Sequence, residues 1–252
     1  MIQEQFSHRA HQGMIYHNPL NPQKIRSIIK RLPLKGPAKI LDVGSGPGQL
    51  LCDIAKQFPD ANLVGIDPSQ LSTKLAAGRI SESGFTGRIN LINEKIQDCP
   101  QELESLDCAI AMGATHAIGN FAETLKQFMK WVKPGGLALI GEGFWMQDPP
   151  QAYLDFLGCK ADSYRSFAGN VEFARELGWI ELYSGVTNQD EWDEYEGGYL
   201  FNIEQYIHEH PDDEDADAYL TKIRRWHKGY LDWGRDSLGF AIHLFRKEAR
   251  AL

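Results

Sequence analysis

From Ala38 to Gly141 the chain alternates short apolar runs with longer amphipathic stretches. Lys39–Val43, Asn62–Ile66, Arg88–Ile92, Leu106–Ala111 and Gly136–Gly141 have strand length and are bounded by Gly, Pro or Asp. Between them, Gln49–Phe58, Gln70–Ser83 and Asn120–Val132 carry apolar residues at helical spacing. Strands separated by helices predict βαβ units and a parallel sheet covered on both faces. The pattern therefore predicts a doubly wound α/β domain.

The flanks are less regular. After an irregular start, a helix is predicted at Asn21–Arg31, with Asn21 as N-cap, Pro22 at the first helical position and Ile25, Ile28, Ile29 and Leu32 on one face. Beyond Trp145, Pro149-Pro150 marks a break. A helix near 168–177 and a strand at Trp179–Val186 follow, then two helices separated by a turn at His210-Pro211. A last apolar run, Leu238–Phe245, can return to the sheet as an edge strand. The organisation expected is a cap segment and helix at 1–37, a main domain at 38–186 and 234–252, and an acidic helical insertion at 187–233.

With 252 residues, 42% of them hydrophobic and 24% charged, the chain can bury a large core and has the composition of a folded protein. No apolar stretch reaches the roughly 18 residues that span a membrane. Met1 to His8 lack the basic start and apolar run of a signal peptide, so a cytoplasmic location is expected. Four cysteines without a Cys-x-x-Cys pair suggest neither zinc nor a disulfide framework, and no metal is expected. The net charge of -8 is uneven: residues 181–220 hold 13 Asp and Glu and no Lys or Arg. Taking these from the 34 acids leaves 21 against 26 bases elsewhere. No Lys/Arg-rich stripe with interleaved aromatics is visible, so no nucleic-acid partner is expected. Oligomeric state is not legible.

The strongest chemical signal is Asp42-Val43-Gly44-Ser45-Gly46-Pro47-Gly48, where the first strand gives way to a helix. Glycines let the backbone bend tightly and approach a ligand, and the helix N-terminus offers free N–H groups. The second strand ends in Asp67, nineteen residues after Gly48, where an acid can hold both hydroxyls of a ribose. A dinucleotide site uses Gly-x-Gly-x-x-Gly; here the third glycine comes one position early, and Asp42 would repel a diphosphate but attract an ammonium.

These segments, with Val64-Gly65-Ile66-Asp67-Pro68-Ser69 and Val132-Lys133-Pro134-Gly135-Gly136-Leu137, resemble the ordered motifs of class I S-adenosylmethionine-dependent methyltransferases. His17-Asn18-Pro19, Met112-Gly113-Ala114-Thr115 and Leu139-Ile140-Gly141-Glu142 resemble a poorly characterised bacterial group acting on small molecules. The resemblance implies a Rossmann-like seven-stranded, mostly parallel sheet with an antiparallel last strand, a helical cap insertion, S-adenosylmethionine as cofactor and a small-molecule acceptor. It implies that Asp42 orients the methionine ammonium, that Gly44, Ser45, Gly46 and Gly48 give the close backbone surface, and that Asp67 binds the ribose. Pro68 and Ser69 would lie near the adenine edge or ribose. After the third strand the family places an acid that reads adenine; here Glu94 is the nearest in register, with Lys95 and Asp98 as neighbours.

Methyl transfer needs alignment and exclusion of water, and a base only where the acceptor must lose a proton. Candidates come from the loops after the fourth and fifth strands. Gly113 and Ala114 permit close approach to the cofactor, and His116 and Glu142 are the catalytic candidates. Phe144 and Trp145 either wall the pocket or pack in the core, and Tyr16 and His17 are possible lid residues. Trp192, Tyr195, Tyr199, Phe201 and Tyr206 lie among acids, which suits a cationic acceptor or, more simply, helices packed on the sheet. No Asn/Asp-Pro-Pro-Tyr/Phe signature of amino-group methylation is present. A non-catalytic sensor of S-adenosylmethionine or S-adenosylhomocysteine stands as the alternative to an enzyme.

Overall fold

The computed structural model describes residues 2–249, so the outermost positions of the first and last expected segments lie outside it. Seven strands form one sheet: β1 (Lys39–Val43), β2 (Asn62–Ile66), β3 (Ile89–Ile92), β4 (Leu106–Met112), β5 (Val132–Trp145), β6 (Trp179–Val186) and β7 (Leu238–Lys247). Their spatial order is β3-β2-β1-β4-β5-β7-β6. β1 pairs in parallel with β2 and β4, β2 with β3, and β4 with β5, whereas β6 and β7 run antiparallel. The order reverses between β1 and β4, the switch point at which ligands bind in open α/β sheets.

Among the described residues the longer helices are α1 (Ile2–Ala10), α2 (Pro22–Ile29), α3 (Gln49–Gln57), α4 (Gln70–Glu82), α5 (Phe121–Trp131), α6 (Gln151–Leu157), α7 (Phe167–Glu176), α8 (Gln189–Glu209) and α9 (Ala216–Gly229). A π-helical turn, Tyr230–Gly234, follows α9. Among the described residues no helix is long and apolar enough to cross a membrane.

The edge-strand expectation for the last run is corrected. β7 lies between β5 and β6, and β6 is the edge. The burial pattern gives the reason: β7 is covered along nearly its whole length, while β6 leaves Ile180, Leu182 and Val186 exposed. A strand buried on both faces belongs inside a sheet.

The described chain divides into two compact units. The sheet unit comprises Pro22–Gly143, Phe167–Val186 and the chain from Phe240 on; the helical unit comprises the chain up to Asn21, Phe144–Ser166 and Thr187–Gly239. In the sheet unit, Leu41, Val43, Ala109, Leu125, Phe128, Ile140, Trp179 and Phe245 belong to one core cluster. In the helical unit, Phe6 and Ala10 of α1 pack with Ile203, Tyr219 and Ile223 of α8 and α9. Residues four apart share a helix face, and burying that face stabilises a nine-residue helix that is marginal on its own. This is why α1 forms where the sequence reads as irregular.

Candidate functional site

Val43 ends β1, and the chain reaches α3 through a turn whose three glycines have positive φ: +69° at Gly44, +51° at Gly46 and +76° at Gly48. Only glycine adopts such angles without strain, but the three differ in surroundings. A Cβ at Gly44 would stand 2.4 Å from the Cβ of Ala114, and one at Gly48 would stand 2.9 Å from the Cβ of Ala76. A Cβ at Gly46 would meet nothing within 4 Å. Two glycines thus let other protein segments pack on the turn, and the third leaves an open face where a ligand's atoms can approach the backbone.

Hydrogen bonds lock the turn onto the end of β2. The Gly44 and Ser45 N–H groups donate to the carbonyl of Ile66 at 2.8 and 3.2 Å. Asp67 then receives Gly46 N–H on Oδ2 at 2.9 Å and Ser69 N–H on Oδ1 at 2.9 Å. Each carboxylate oxygen has one donor and keeps a further lone pair, so the group is oriented and still able to accept hydroxyl bonds. Ser69 caps α4, its Oγ accepting Ser72 N–H at 3.1 Å, and Pro68 is exposed between them.

Asp42, one residue before the end of β1, is buried, and its Oδ1 has no hydrogen-bond partner. Burial first, and the charge of Asp67 second, push its carboxyl up to about 8. An acid in this position lacks a cation or donor, and supplying one would relieve both causes at once.

The loop after β4 forms the opposite wall of the switch point. Gly113, with φ +71°, donates its N–H to Gly141 of β5 at 2.9 Å. The buried Thr115 donates its hydroxyl to Glu142, whose other oxygen accepts Gly143 N–H at 2.8 Å. Burial raises the Glu142 carboxyl above its ordinary value, against these two bonds. His116, by contrast, points from a short 3-10 turn and is exposed.

Bonding and packing therefore bring together Asp42, Gly44, Ser45, Gly46, Gly48, Asp67, Ser69 and Gly113, with Glu142 fixed beside the same loop. Glu94 stands apart: it is exposed and accepts only the thiol of Cys99, at 3.5 Å, among the described residues. Asn93 is the residue that ties β3 to the site, donating to the Asp67 carbonyl at 2.9 Å and to Thr73 Oγ1 at 3.3 Å. Two further contributors were given no site role by the sequence reading. A Cβ on Gly65 would stand 2.6 Å from Leu51 and 2.8 Å from Ser45 Oγ, a demand that a lone glycine inside a strand can signal. Arg79 donates to the Pro47 carbonyl at 2.8 Å, which no local pattern reveals.

Comparison with known proteins places the fold. Residues 40–136 match a methyltransferase domain family. A methyltransferase from Geobacter sulfurreducens, solved in complex with S-adenosyl-L-homocysteine, superposes with a TM-score of 0.87 at 26% identity, covering 96% of this chain and 97% of that one. The chain belongs to the class I S-adenosylmethionine-dependent methyltransferases. Its cofactor is S-adenosylmethionine. The methyltransferase is also 29% identical over 228 residues to the uncharacterized protein YjhP of Escherichia coli, covering 90% of this chain and 91% of that protein. A ubiquinone/menaquinone biosynthesis C-methyltransferase of Syntrophotalea carbinolica is 30% identical over 114 residues, only 47% of its length.

The cofactor's chemistry suits the residues present. The orphaned oxygen of Asp42 and the open face over Gly46 are the features a cationic amino-acid end and a closely approaching ligand require.

The remaining candidates lie in the helical unit. Phe144 and Trp145 are buried, and Trp145 donates to the Ala161 carbonyl at 2.8 Å while standing edge-on to Tyr164. The His17 ring stacks on His11 at 4.2 Å. Phe201 is 64% exposed, whereas Tyr206 bonds Asp213. His210 donates its Nδ1–H to the Tyr206 carbonyl at 2.9 Å, and no group of three metal-ligating side chains occurs among the described residues.

Proposed function

We propose that this methyltransferase transfers a methyl group to a small-molecule acceptor, with the turn from Asp42 to Gly48 and the Asp67–Ser69 corner holding the cofactor. The observation that carries the reading is the union of Asp67 with Gly46 and Ser69 beside the unpartnered oxygen of Asp42. Bound S-adenosylmethionine supplies a methyl group on a positively charged sulfur. Asp42 then meets the ammonium, Asp67 accepts from ribose hydroxyls, and Gly44, Ser45, Gly46 and Gly48 supply the close backbone surface. Pro68 and Ser69 border the ribose or adenine edge, and Gly113 lines the facing wall. Glu94, one residue beyond Asn93, is the acid assigned to the adenine.

Where the acceptor must lose a proton, Glu142 is the better placed of the two catalytic candidates. It is oriented by Thr115 and Gly143, and its raised affinity for protons brings it nearer to working pH. His116 acts at the mouth of the same loop. A small acceptor is supported by the Syntrophotalea carbinolica relative, which is named for quinone biosynthesis.

Calorimetric titration of S-adenosylmethionine and S-adenosylhomocysteine into the wild type and Asp67→Ala tests the site. Micromolar binding by the wild type, weakened roughly 100-fold in the variant, is expected when two hydroxyl bonds to a charged acceptor are lost. A wild type that binds neither compound would sink the reading. Release of S-adenosylhomocysteine in the presence of an acceptor library then separates transfer from binding alone.

A further inference from the structure

Helix α8 presents Trp192, Tyr195, Glu196 and Tyr199 on one face, spaced three, four and seven residues apart. Glu196 is only 4% exposed. Its Oε2 accepts Trp226 Nε1–H at 2.9 Å, the single hydrogen bond of this carboxyl among the described residues. A buried carboxyl ordinarily collects several donors or a paired cation, because burial without them is costly.

The donors nearest to it are turned elsewhere. Tyr153, Tyr195, Tyr199 and Tyr230 all sense the Glu196 charge, which adds to burial in holding their hydroxyls protonated. Yet the Tyr195 hydroxyl lies 3.0 Å from His11 Nε2, and that of Tyr230 donates to Asp193 at 2.5 Å. The Tyr230 ring stacks with Trp192 at 6.3 Å, and the indole N–H of Trp192 is itself buried without a partner.

Five cations of α9 and the residues after it are engaged elsewhere. Lys222 lies over Phe6 at 4.2 Å and Arg225 over Phe156 at 4.8 Å. Arg224 pairs with Glu204, Lys228 with Asp232 and Arg235 with Asp193. A carboxyl in an aromatic cluster, in no ion pair among the described residues, is the chemistry that recognises an alkylammonium group: the acid supplies the opposite charge and the ring faces supply their quadrupoles. The π-helical turn contributes by carrying both Tyr230 and Trp233, the latter 6.1 Å from Tyr153. Such turns concentrate at functional positions.

We propose that Glu196, with the rings of Trp192, Tyr195, Tyr153 and Tyr230, binds the ammonium end of a small organic cation. The ammonium site lies wholly within the helical unit.

Tryptophan fluorescence titrations of the full chain with choline and ethanolamine test the site, against the uncharged carbon isosteres 3,3-dimethylbutanol and propanol. At least one ammonium compound should quench saturably, with its isostere roughly tenfold weaker or worse, as expected for a desolvated cation over aromatic rings. Glu196→Gln should lose a comparable factor while its melting curve stays cooperative. Absence of saturable quenching by either cation, equal binding of an isostere, or unchanged affinity in a folded Glu196→Gln would overturn the proposal. Should that variant not fold, the wild-type comparison of cation with isostere decides alone. S-adenosylhomocysteine titrated in parallel separates this site from the cofactor reading: cation binding without it retains the ammonium site.

Discussion

Asp42 in the sheet unit and Glu196 in the helical unit are both buried carboxyls held above the ordinary range, at about 8 and about 7. They reach that state by different routes. Around Asp42 the surroundings are backbone: strand ends, a turn of glycines, and a second carboxylate, Asp67, whose oxygens are fixed by N–H groups. Around Glu196 they are side chains, mostly rings from α8, α9, α6 and the π-helical turn, with one indole donor. A backbone-built site is rigid, and at Gly44 and Gly48 it leaves no room for an added atom. A side-chain-built site depends on which faces of several helices meet, and it can change its ligand by changing its rings.

The largest test of that contrast is Gly44→Ala. The new Cβ would fall 2.4 Å from Ala114, at a φ of +69°. The left-handed conformation alone costs a non-glycine residue roughly 1–2 kcal/mol, and the collision must also push the β1 turn away from the loop after β4. S-adenosylhomocysteine affinity should fall about 100-fold, equivalent to about 2.7 kcal/mol. Ala114→Gly added to this variant removes the collision but not the strain, and should recover part of the loss. If Gly44→Ala binds like the wild type in calorimetry, the turn is not built as the structure indicates and the contrast fails.

Paired melts of Asp42→Asn and Glu196→Gln sharpen the comparison by charge. Both carboxyls bind their proton more tightly in the folded chain than in the unfolded one. Stability from each is therefore greatest at low pH and is lost as pH rises from about 4, the ordinary carboxyl value, toward about 8 for Asp42 and about 7 for Glu196. A neutral amide removes that loss. Each variant should melt higher than the wild type at pH 8 and lie much closer to it at pH 5, by roughly 2–4 °C for every kcal/mol relieved in a chain of this size. Their binding defects should diverge: Asp42→Asn loses about tenfold in S-adenosylmethionine affinity, the worth of one charge-assisted bond, and Glu196→Gln does not. Melting temperatures that fall at pH 8 would show that the carboxyls already have partners in the ligand-free protein.

The contrast also explains what could be read before the fold was known. The spacing of Gly44, Gly46 and Gly48 and the acid at the end of the second strand are local demands of backbone geometry, so they show in one dimension. The order of βαβ units shows for the same reason. The place of the last strand does not, because its inside position depends on what covers β7 after folding. Asn93 outranks Glu94 as the tie to β2 through a carbonyl 26 residues away, and Thr115 matters through Glu142, 27 residues on. The Glu196 cluster was visible only as aromatics among acids. Its composition can be counted along the chain, but whether four hydroxyls face a carboxyl or turn from it is decided by packing between helices.

The smallest effect tests how the backbone-built site is braced from outside. Arg79, on the last turn of α4, donates to the Pro47 carbonyl at 2.8 Å across 32 residues. The bond joins the helix that follows Asp67 to the one peptide of the glycine turn between Gly46 and Gly48, so it links the two strand ends that Gly46 and Asp67 already join. A charged donor to a part-buried carbonyl contributes about 1 kcal/mol net, and its loss in a turn held by several other bonds should be shared among them. Arg79→Ala should therefore weaken S-adenosylhomocysteine binding only about threefold, close to 0.6 kcal/mol. Arg79→Lys, which keeps one donor of similar reach, should restore most of it, and neither variant should alter choline quenching in the helical unit. A loss as large as that of Gly44→Ala would mean that the turn is held from α4 rather than by its own glycines and Asp67, and the rigidity ascribed to the backbone would belong to a side chain after all.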